Sequence, residues 1–418
     1  MPIFKELAST DFRSTTSTLN QLIDVTKQTI SGTDTRKSYE VFVSGTTSAA
    51  ITSSIFQTIF DQTKTLATAN EVFDMTVGLY LSGSPVTGSE TGTDSSGKLL
   101  FPANNAMMRE KVNVYKQFAQ TLLGDETAAF TTPFSGATLT NIDSALFLSF
   151  KRLFMRDRIK RETFALTMYT SGALDGASQS STYEKTFLNG YTGSNINKVS
   201  VSGSAIFTDT GAAATVEYSP GGQVGNIVNS VNTAEKVGLV FYDYGIIVLD
   251  MNKVFYANQH MSGTIKADVA AVTPALIGTT IMGSGSFSNS NVNAKFIPDF
   301  VVSSSIDDIV NHICSTRFPN TTDTAITFQN NTTINSSLIF CRLSADEFNY
   351  SSNPSFTDAE GRIVVIDAGE EATQNTFSFI TTVGLYDAGN NLLAVAKLSR
   401  PVEKNDEKDW TVRVRLDV

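Results

Sequence analysis

The segment Val237–Asp250, VGLVFYDYGIIVLD, constrains the fold more than any other stretch of the chain. Two apolar runs flank Gly245, and β-branched and aromatic residues dominate both. The pattern predicts a buried β region near the centre of the molecule, bent or bulged at the glycine. Other strands follow from the same logic. In Ser38–Val43, Tyr39, Val41 and Val43 alternate with Glu40 and Phe42, and Phe73–Leu81 reads FDMTVGLYL before the turn-rich surface loop SGSPVTGSETGTDSSG. From Thr322 onward, SSLIFCRL, GRIVVI, TFSFITTVGLY, NLLAVAKLS and TVRVRLDV are separated by polar or glycine-bearing connections. DAGN reads as a hairpin turn. Arg413 and Arg415 alternate with Val412, Val414 and Leu416, so one face of the last strand should be wet or paired.

Helical spacing is present in four places. Leu19, Leu22, Ile23 and Ile30 recur on one face of a stretch ending at Gly32. Ala106–Leu123 places Met108, Val112, Tyr115, Ala119 and Leu122 at steps of three and four, with Asn104 or Asn105 as N-cap and Gly124 where a left-handed C-cap is cheap. Ile142–Ile159 carries Ile142, Leu146, Phe150 and Leu153 on a stripe beside Phe147 and Phe154, which would pair it with the preceding helix in a helical core. Ser304–Cys314 predicts a short helix buried through Ile306, Ile309, Val310 and Ile313. The fold class expected is therefore α+β and β-rich. Its division is an N-terminal α+β domain (1–170), a β-rich middle region (171–320) and a C-terminal antiparallel β domain (321–418). Residues 171–235, rich in Ser, Gly and Thr, read as an irregular insertion whose order depends on neighbours. The pentapeptide TVGLY occurs at Thr76–Tyr80 and Thr382–Tyr386, which fits chance likeness between amphipathic strands or a structural repeat.

The surface chemistry narrows the function. A chain of 418 residues is long enough for two to four domains, and only 17% of it is charged against 41% hydrophobic, below the roughly 25% charge of ordinary soluble domains. Ser, Thr, Asn and Gly supply the missing polarity, and such a surface is cheap to cover with another protein. An assembly subunit fits; so does a secreted adhesin or glycan-binding β protein. A net charge of −10 repels nucleic acid and anionic lipid. Cys314 and Cys341 are too few for a disulfide framework and sit among apolar neighbours, so both are expected as buried thiols. The start MPIFKELASTDF lacks the apolar run of a signal peptide, and no stretch approaches the ~20 apolar residues of a membrane span. A soluble product made inside the cell is the expectation.

Catalytic patterns are sparse. His260 and His312 are the only histidines, neither lies in a nucleophile motif, and His312 with Cys314 leaves a zinc site short of ligands. Asp307–Asp308 and Glu370–Glu371 are adjacent acids of the kind usually just solvated, and in a helix such neighbours point about 100° apart. GGQVGN lacks the ending of a P-loop. The expectation is a protein that is not an enzyme and has no catalytic, cofactor-binding or metal residues; with no signal peptide expected, its Asn-x-Ser/Thr triplets are compositional. One cluster stands out: KRLFMRDRIKR at Lys151–Arg161. Cations at a helix C-terminus are favoured by about 0.3–1 kcal/mol each, so a solvated helix end explains part of it. The functional alternative is a docking patch for an acidic neighbouring subunit, with Arg152, Arg156, Arg158, Lys160 and Arg161 as the candidate interface.

Three blocks carry a family resemblance: REKVNVYKQFAQTLLG at Arg109–Gly124, VGLVFYDYGIIVL at Val237–Leu249, and CRLSADEFNYSSNPSF with FITTVGLYDAGNNLLAVAKLSRPVEKN in the last quarter. With these the chain resembles virion structural proteins of contractile-tailed bacteriophages, particularly those infecting marine cyanobacteria. The last block is also similar to segments of baseplate and fibre-attachment proteins. The resemblance spans most of the chain, is weakest over 171–235, and transfers no functional residue. It implies a wedge-type baseplate subunit of the tail, assembled in the host bacterial cytoplasm and held among other virion proteins and symmetry copies of itself, with no direct contact to nucleic acid and no membrane insertion. A neck or head-associated structural protein and a receptor- or glycan-binding tail module are the alternatives.

Overall fold

A computed structural model of the chain describes residues 4–43, 51–83, 92–93, 99–100, 106–174, 199–214, 216–255, 258–259, 294–295, 305–318 and 321–417. They fall into two compact units, Met1–Leu19 with Thr333–Val418, and Asn20–Thr332. The chain changes unit within two long strands. The boundary anticipated at 170/171 lies inside a strand, so it divides no compact unit, and the C-terminal β region is joined in one unit by the N-terminal residues. Numbering strands of five residues or more, the chain forms β1 (Phe12–Thr26), β2 (Arg36–Val43), β3 (Ile51–Phe60), β4 (Glu71–Leu79), β5 (Ser144–Phe150), β6 (Ala165–Leu174), β7 (Val199–Thr208), β8 (Gly222–Asn229), β9 (Lys236–Phe241), β10 (Ile246–Asp250), β11 (Thr324–Leu343), β12 (Ser378–Tyr386), β13 (Leu392–Lys404) and β14 (Trp410–Asp417). Its two longer helices are α1 (Ala106–Leu123) and α2 (Ile306–Arg317).

The larger unit is a β-sheet in the order β1-β11-β6-β7-β8-β9-β10-β5-β4-β3-β2, and from β11 onward each neighbouring pair is antiparallel. A twisted sheet of that width must curl. Helix α2 packs against β3 and β4 and also against β6 and β7. Phe150 of β5 meets Phe328 of β11 with ring centroids 4.8 Å apart, although five strands separate β5 from β11 in the order. The sheet therefore wraps α2. The opposite face is covered by α1, where Phe118 stacks on Phe147 at 4.2 Å and Tyr115 packs edge-on to Phe130 and Phe147.

Coverage of both faces explains the central strands. β9 and β10 are buried at every position but Lys236, and Gly245, at φ +64°, turns one into the other as its place between two apolar runs predicts. The same coverage corrects the expected second helix. Ser144–Phe150 is a strand buried at all positions but Ser149; only Arg152–Met155 is helical, and Leu153 of the supposed stripe is half exposed. An apolar run buried on both faces shows no alternation, and its accidental three-and-four spacing reads as helix. Of the expected helical pair, α1 alone is present, closed by Gly124 at φ +82°; Asn104 and Asn105 lie outside the described residues.

The helix expected to end at Gly32 is also corrected. Residues Phe12–Thr26 form β1, and only Lys27–Ser31 is helical, with the Thr26 hydroxyl accepting the Thr29 N–H at 3.3 Å. Thr, Ile and Val favour the strand there, and Ile23 and Val25 are buried while Leu19 and Leu22 are exposed. In the region read as an irregular insertion, β7, β8 and the short strand Glu217–Ser219 pair antiparallel, with a register shift at Ile227/Val228 of β8; residues 175–198 and 215 lie outside the described ones. Helix α2 buries Ile306, Ile309, Val310 and Ile313 as their spacing predicts.

In the smaller unit β14 pairs with the C-terminal half of β11, and β12 and β13 form a hairpin. Asp387 organises the DAGN turn by accepting N–H bonds from Gly389 and Asn391, both at 2.8 Å, with Asn390 at φ +61°. Ile339, Leu385 and Val414 form a small core, with Val383, Ala394, Ala396, Val412 and Leu416 packed around it. Arg413 and Arg415 point away from it, and Arg415 bonds Asp417 at 2.7 Å. GRIVVI is not a strand: it makes one bridge, Thr357 to Ile363, and leaves Ile363 and Val364 exposed. Strand propensity without a partner strand yields no sheet. Both cysteines are free, Cys314 buried and Cys341 half-buried.

Candidate interface

The basic segment lies between β5 and β6, and its geometry differs from a helix end. The single helical turn Arg152–Met155 stops at Arg156, whose backbone is at φ +58° and ψ −122°. The chain then runs beside β11: Arg158 and Ile159 pair with Asn331 and Asn330, Asp157 and Lys160 donate backbone N–H groups to Asn331 and Gln329 at 3.2 and 2.8 Å, and Ile159 donates to the Tyr242 carbonyl at 3.0 Å. Asn330, buried, donates its side-chain amide to the Phe154 carbonyl at 2.7 Å. A helix dipole over one turn has little reach, so it does not account for the cations.

These side chains divide into two groups. Lys160 bonds Gln329 Oε1 at 3.0 Å, Arg158 stands 4.0 Å from Asp243, and the preceding Lys151 bridges Asp74 at 2.8 Å and Glu71 at 3.2 Å. Burial opposes the charge of Lys151, but these two carboxylates outweigh it and raise its pKa. Arg152, largely in solvent, meets only Asp157 at 3.9 Å, a contact worth about 0–1 kcal/mol. Arg156 is exposed and Arg161 half-buried, and among the described residues neither has an ion-pair partner. Arg152, Arg156 and Arg161 are therefore the most available cations; Lys160 serves the fold, and Arg158, whose pair with Asp243 is as long as that of Arg152, is held chiefly by its backbone pairing with β11. Arg156 also occupies a conformation that costs a non-glycine residue on the order of 1–3 kcal/mol.

The scaffold beneath is held by buried polar groups. Asp209 accepts the Tyr242 hydroxyl at 2.9 Å and the N–H groups of Glu162 and Phe164 at 2.7 and 3.1 Å; burial raises its pKa nevertheless. On α2, Asp307 is not simply solvated. It accepts the Ser54 N–H at 3.0 Å, the Ser54 hydroxyl, and Gln57 Nε2 at 3.0 Å. Arg36 reaches Gln57 Oε1 and Asn311 Oδ1 at 3.1 and 2.7 Å. These bonds lock α2 onto β3. Arg317 lies over the Phe255 ring at 5.0 Å, and full burial lowers its pKa to about 9. The side chains of Asp308 and His312, and all of His260, lie outside the described residues, while Glu370 and Glu371 are exposed in a turn. Among the described residues no group of three or more His, Cys, Asp or Glu converges as a metal site, and no helix is long and apolar enough to cross a membrane.

The smaller unit exposes what charge patterns alone do not reveal. On β12 and β13, Phe379, Tyr386, Leu392, Leu393 and Val395 are 45–68% exposed. Gly384 pairs with Val395 and Thr382 with Lys397, so Leu393, Val395 and Lys397 line the face turned away from the core. Leu392 and Leu393 are both exposed beside half-buried Ala394 and Ala396; the apolar run thus lacks the alternation that would have marked an outer face. A groove of about 700 Å³ in the same unit is lined by Phe4, Leu7, Phe12, Phe348, Val383 and Tyr386 among others, with Phe4 edge-on to Tyr386 at 4.9 Å. No family model, curated protein or solved structure matches this chain.

Proposed function

We propose that the chain is a structural subunit of a contractile phage tail, a wedge-type baseplate component of the virion that works by packing against neighbouring tail proteins and transforms no substrate. The observation that carries this reading is the outer face of the β12–β13 hairpin. Among the described residues of this unit only Ile339, Phe356, Leu385 and Val414 are buried apolar side chains, whereas the hairpin leaves five large apolar ones in solvent. Small cores are marginal, and contiguous exposed apolar surface is characteristic of an interaction site. A neighbour covering that face would supply stability that the unit does not generate alone. The low charge of the chain and the available Arg152, Arg156 and Arg161 fit the same role, and the resemblance of three sequence blocks to tail proteins supports that choice of assembly. Labelling the protein within purified particles and locating it by electron microscopy tests the proposal: density at the baseplate is expected, and absence from mature particles overturns it. The aromatic groove around Phe4, Phe12, Phe348 and Tyr386 favours a second reading, a receptor- or glycan-binding tail module, which binding of the purified chain to host envelope material would establish instead.

A further inference from the structure

Resting on the reading of Arg152, Arg156 and Arg161 as a docking patch, we infer that the acidic neighbour they engage is a second copy of this chain, through the turn Asp367–Glu371. Two patches of opposite sign occur on one sequence. Between Lys151 and Arg161 six cations accompany a single carboxylate, Asp157, and between Thr357 and Thr376 five carboxylates accompany a single cation, Arg362. Each excess survives its own local pairing. Lys160 and Lys151 are engaged within the larger unit and Arg158 lies 4.0 Å from Asp243, leaving the guanidinium groups of Arg152, Arg156 and Arg161 with at most the long contact of Arg152 to Asp157. In the smaller unit Arg362 is occupied by Asp358 at 2.9 Å and Glu360 at 3.4 Å. Asp367, Glu370 and Glu371 remain exposed, and among the described residues none has a cation partner.

Both patches are also held in shape. The acidic turn closes through backbone bonds from Glu370 to Asp367 at 3.0 Å and from Thr373 to Glu370 at 2.9 Å, while Gln374 bonds the Asp367 carboxylate at 3.1 Å. Arg156 is fixed at φ +58° beside a strand paired with β11. A fixed backbone beneath each patch confines the entropy lost on docking to the side chains, and Arg–carboxylate pairs are the strong bidentate kind. In a chain of net charge −10, electrostatic attraction between two copies requires a basic patch to meet an acidic one. Because the two patches differ, two copies either close a two-fold dimer through a pair of equivalent contacts or propagate through single contacts into a ring or a row.

The test is self-association of the full chain, followed by sedimentation velocity at 0.01 M and 0.15 M ionic strength, where screening lengths are about 30 and 8 Å. Association at low salt that weakens at the higher salt is expected. R152E/R156E/R161E and, separately, D367R/E370R/E371R should each reduce the association constant by about tenfold or more, and an equimolar mixture of the two variants should restore it. Circular dichroism spectra matching the parent confirm that each variant folds. A parent chain that stays monomeric at low salt, or a mixture that stays dissociated, overturns the self-docking. Should R152E/R156E/R161E then still fail to enter particles, the docking patch stands and its partner is another tail protein; normal particles built from that variant would remove the patch as well.

Discussion

Asp250 closes β10 and caps the short helix Met251–Val254, accepting the Asn252 N–H at 3.0 Å while only 3% exposed. Burial pushes its pKa from 3.8 to about 6; the cap bond and the Lys253 charge resist, and the Asp143 charge adds to the rise. The folded chain thus keeps this proton up to pH ~6, while the unfolded chain releases it near 3.8. Between those values the native state binds more protons, so the contribution of this group to stability falls as pH rises. The window spans about 2 pH units, and at 1.36 kcal/mol per unit the loss amounts to ~3 kcal/mol. Asp250→Asn keeps a capping oxygen and removes the titration, since Asn caps about as well as Asp. Urea denaturation followed by circular dichroism at pH 4, 5, 6 and 7 gives the stability of both proteins. The variant should gain on the parent by ~3 kcal/mol from pH 4 to 7, being the more stable at neutral pH. A difference that stays constant within about 0.5 kcal/mol across that range would refute the assignment of the burial cost to Asp250.

Two further substitutions probe the packing and the strained turn. Gly78→Ala would put a methyl 2.8 Å from Phe147 Cε2 and 3.0 Å from the Tyr115 backbone nitrogen, between β4 and α1, and should cost about 1–3 kcal/mol; Gly384→Ala meets chiefly the exposed Tyr386 ring and should cost less, so thermal midpoints falling equally would contradict the contrast. Arg156→Gly relieves the left-handed backbone and should leave unfolding stability unchanged or raise it by about 1 kcal/mol; a measured loss beyond about 1 kcal/mol would show that the arginine serves the fold.

Much of the candidate interface was legible as composition. The crowding of cations at Lys151–Arg161 is plain in the sequence, but which of them remain available depends on Asp243, Asp74, Glu71 and Gln329, groups from distant parts of the chain. The exposed hairpin face was not legible, because NLLAVAKL is apolar at odd and even positions alike and only the packing shows which residues the core accepts.

Local chemistry by itself determined the features that need few partners: the stripes of α1 and α2, the bend at Gly245, the turn at DAGN, and the predominance of strands. Tertiary structure decided the rest. TVGLY is buried through Leu79 in β4, between two helices, whereas in β12 the same residues leave Thr382, Gly384 and Tyr386 exposed. Ser144–Phe150 became a strand because β4 and β10 flank it, and Met1–Leu19 joined Thr333–Val418 despite the distance in sequence. The physical reason is that a strand acquires its hydrogen-bond partners and the cover on its faces from remote segments. A helix makes its backbone bonds within itself, so its pattern can be read locally and a strand's often cannot.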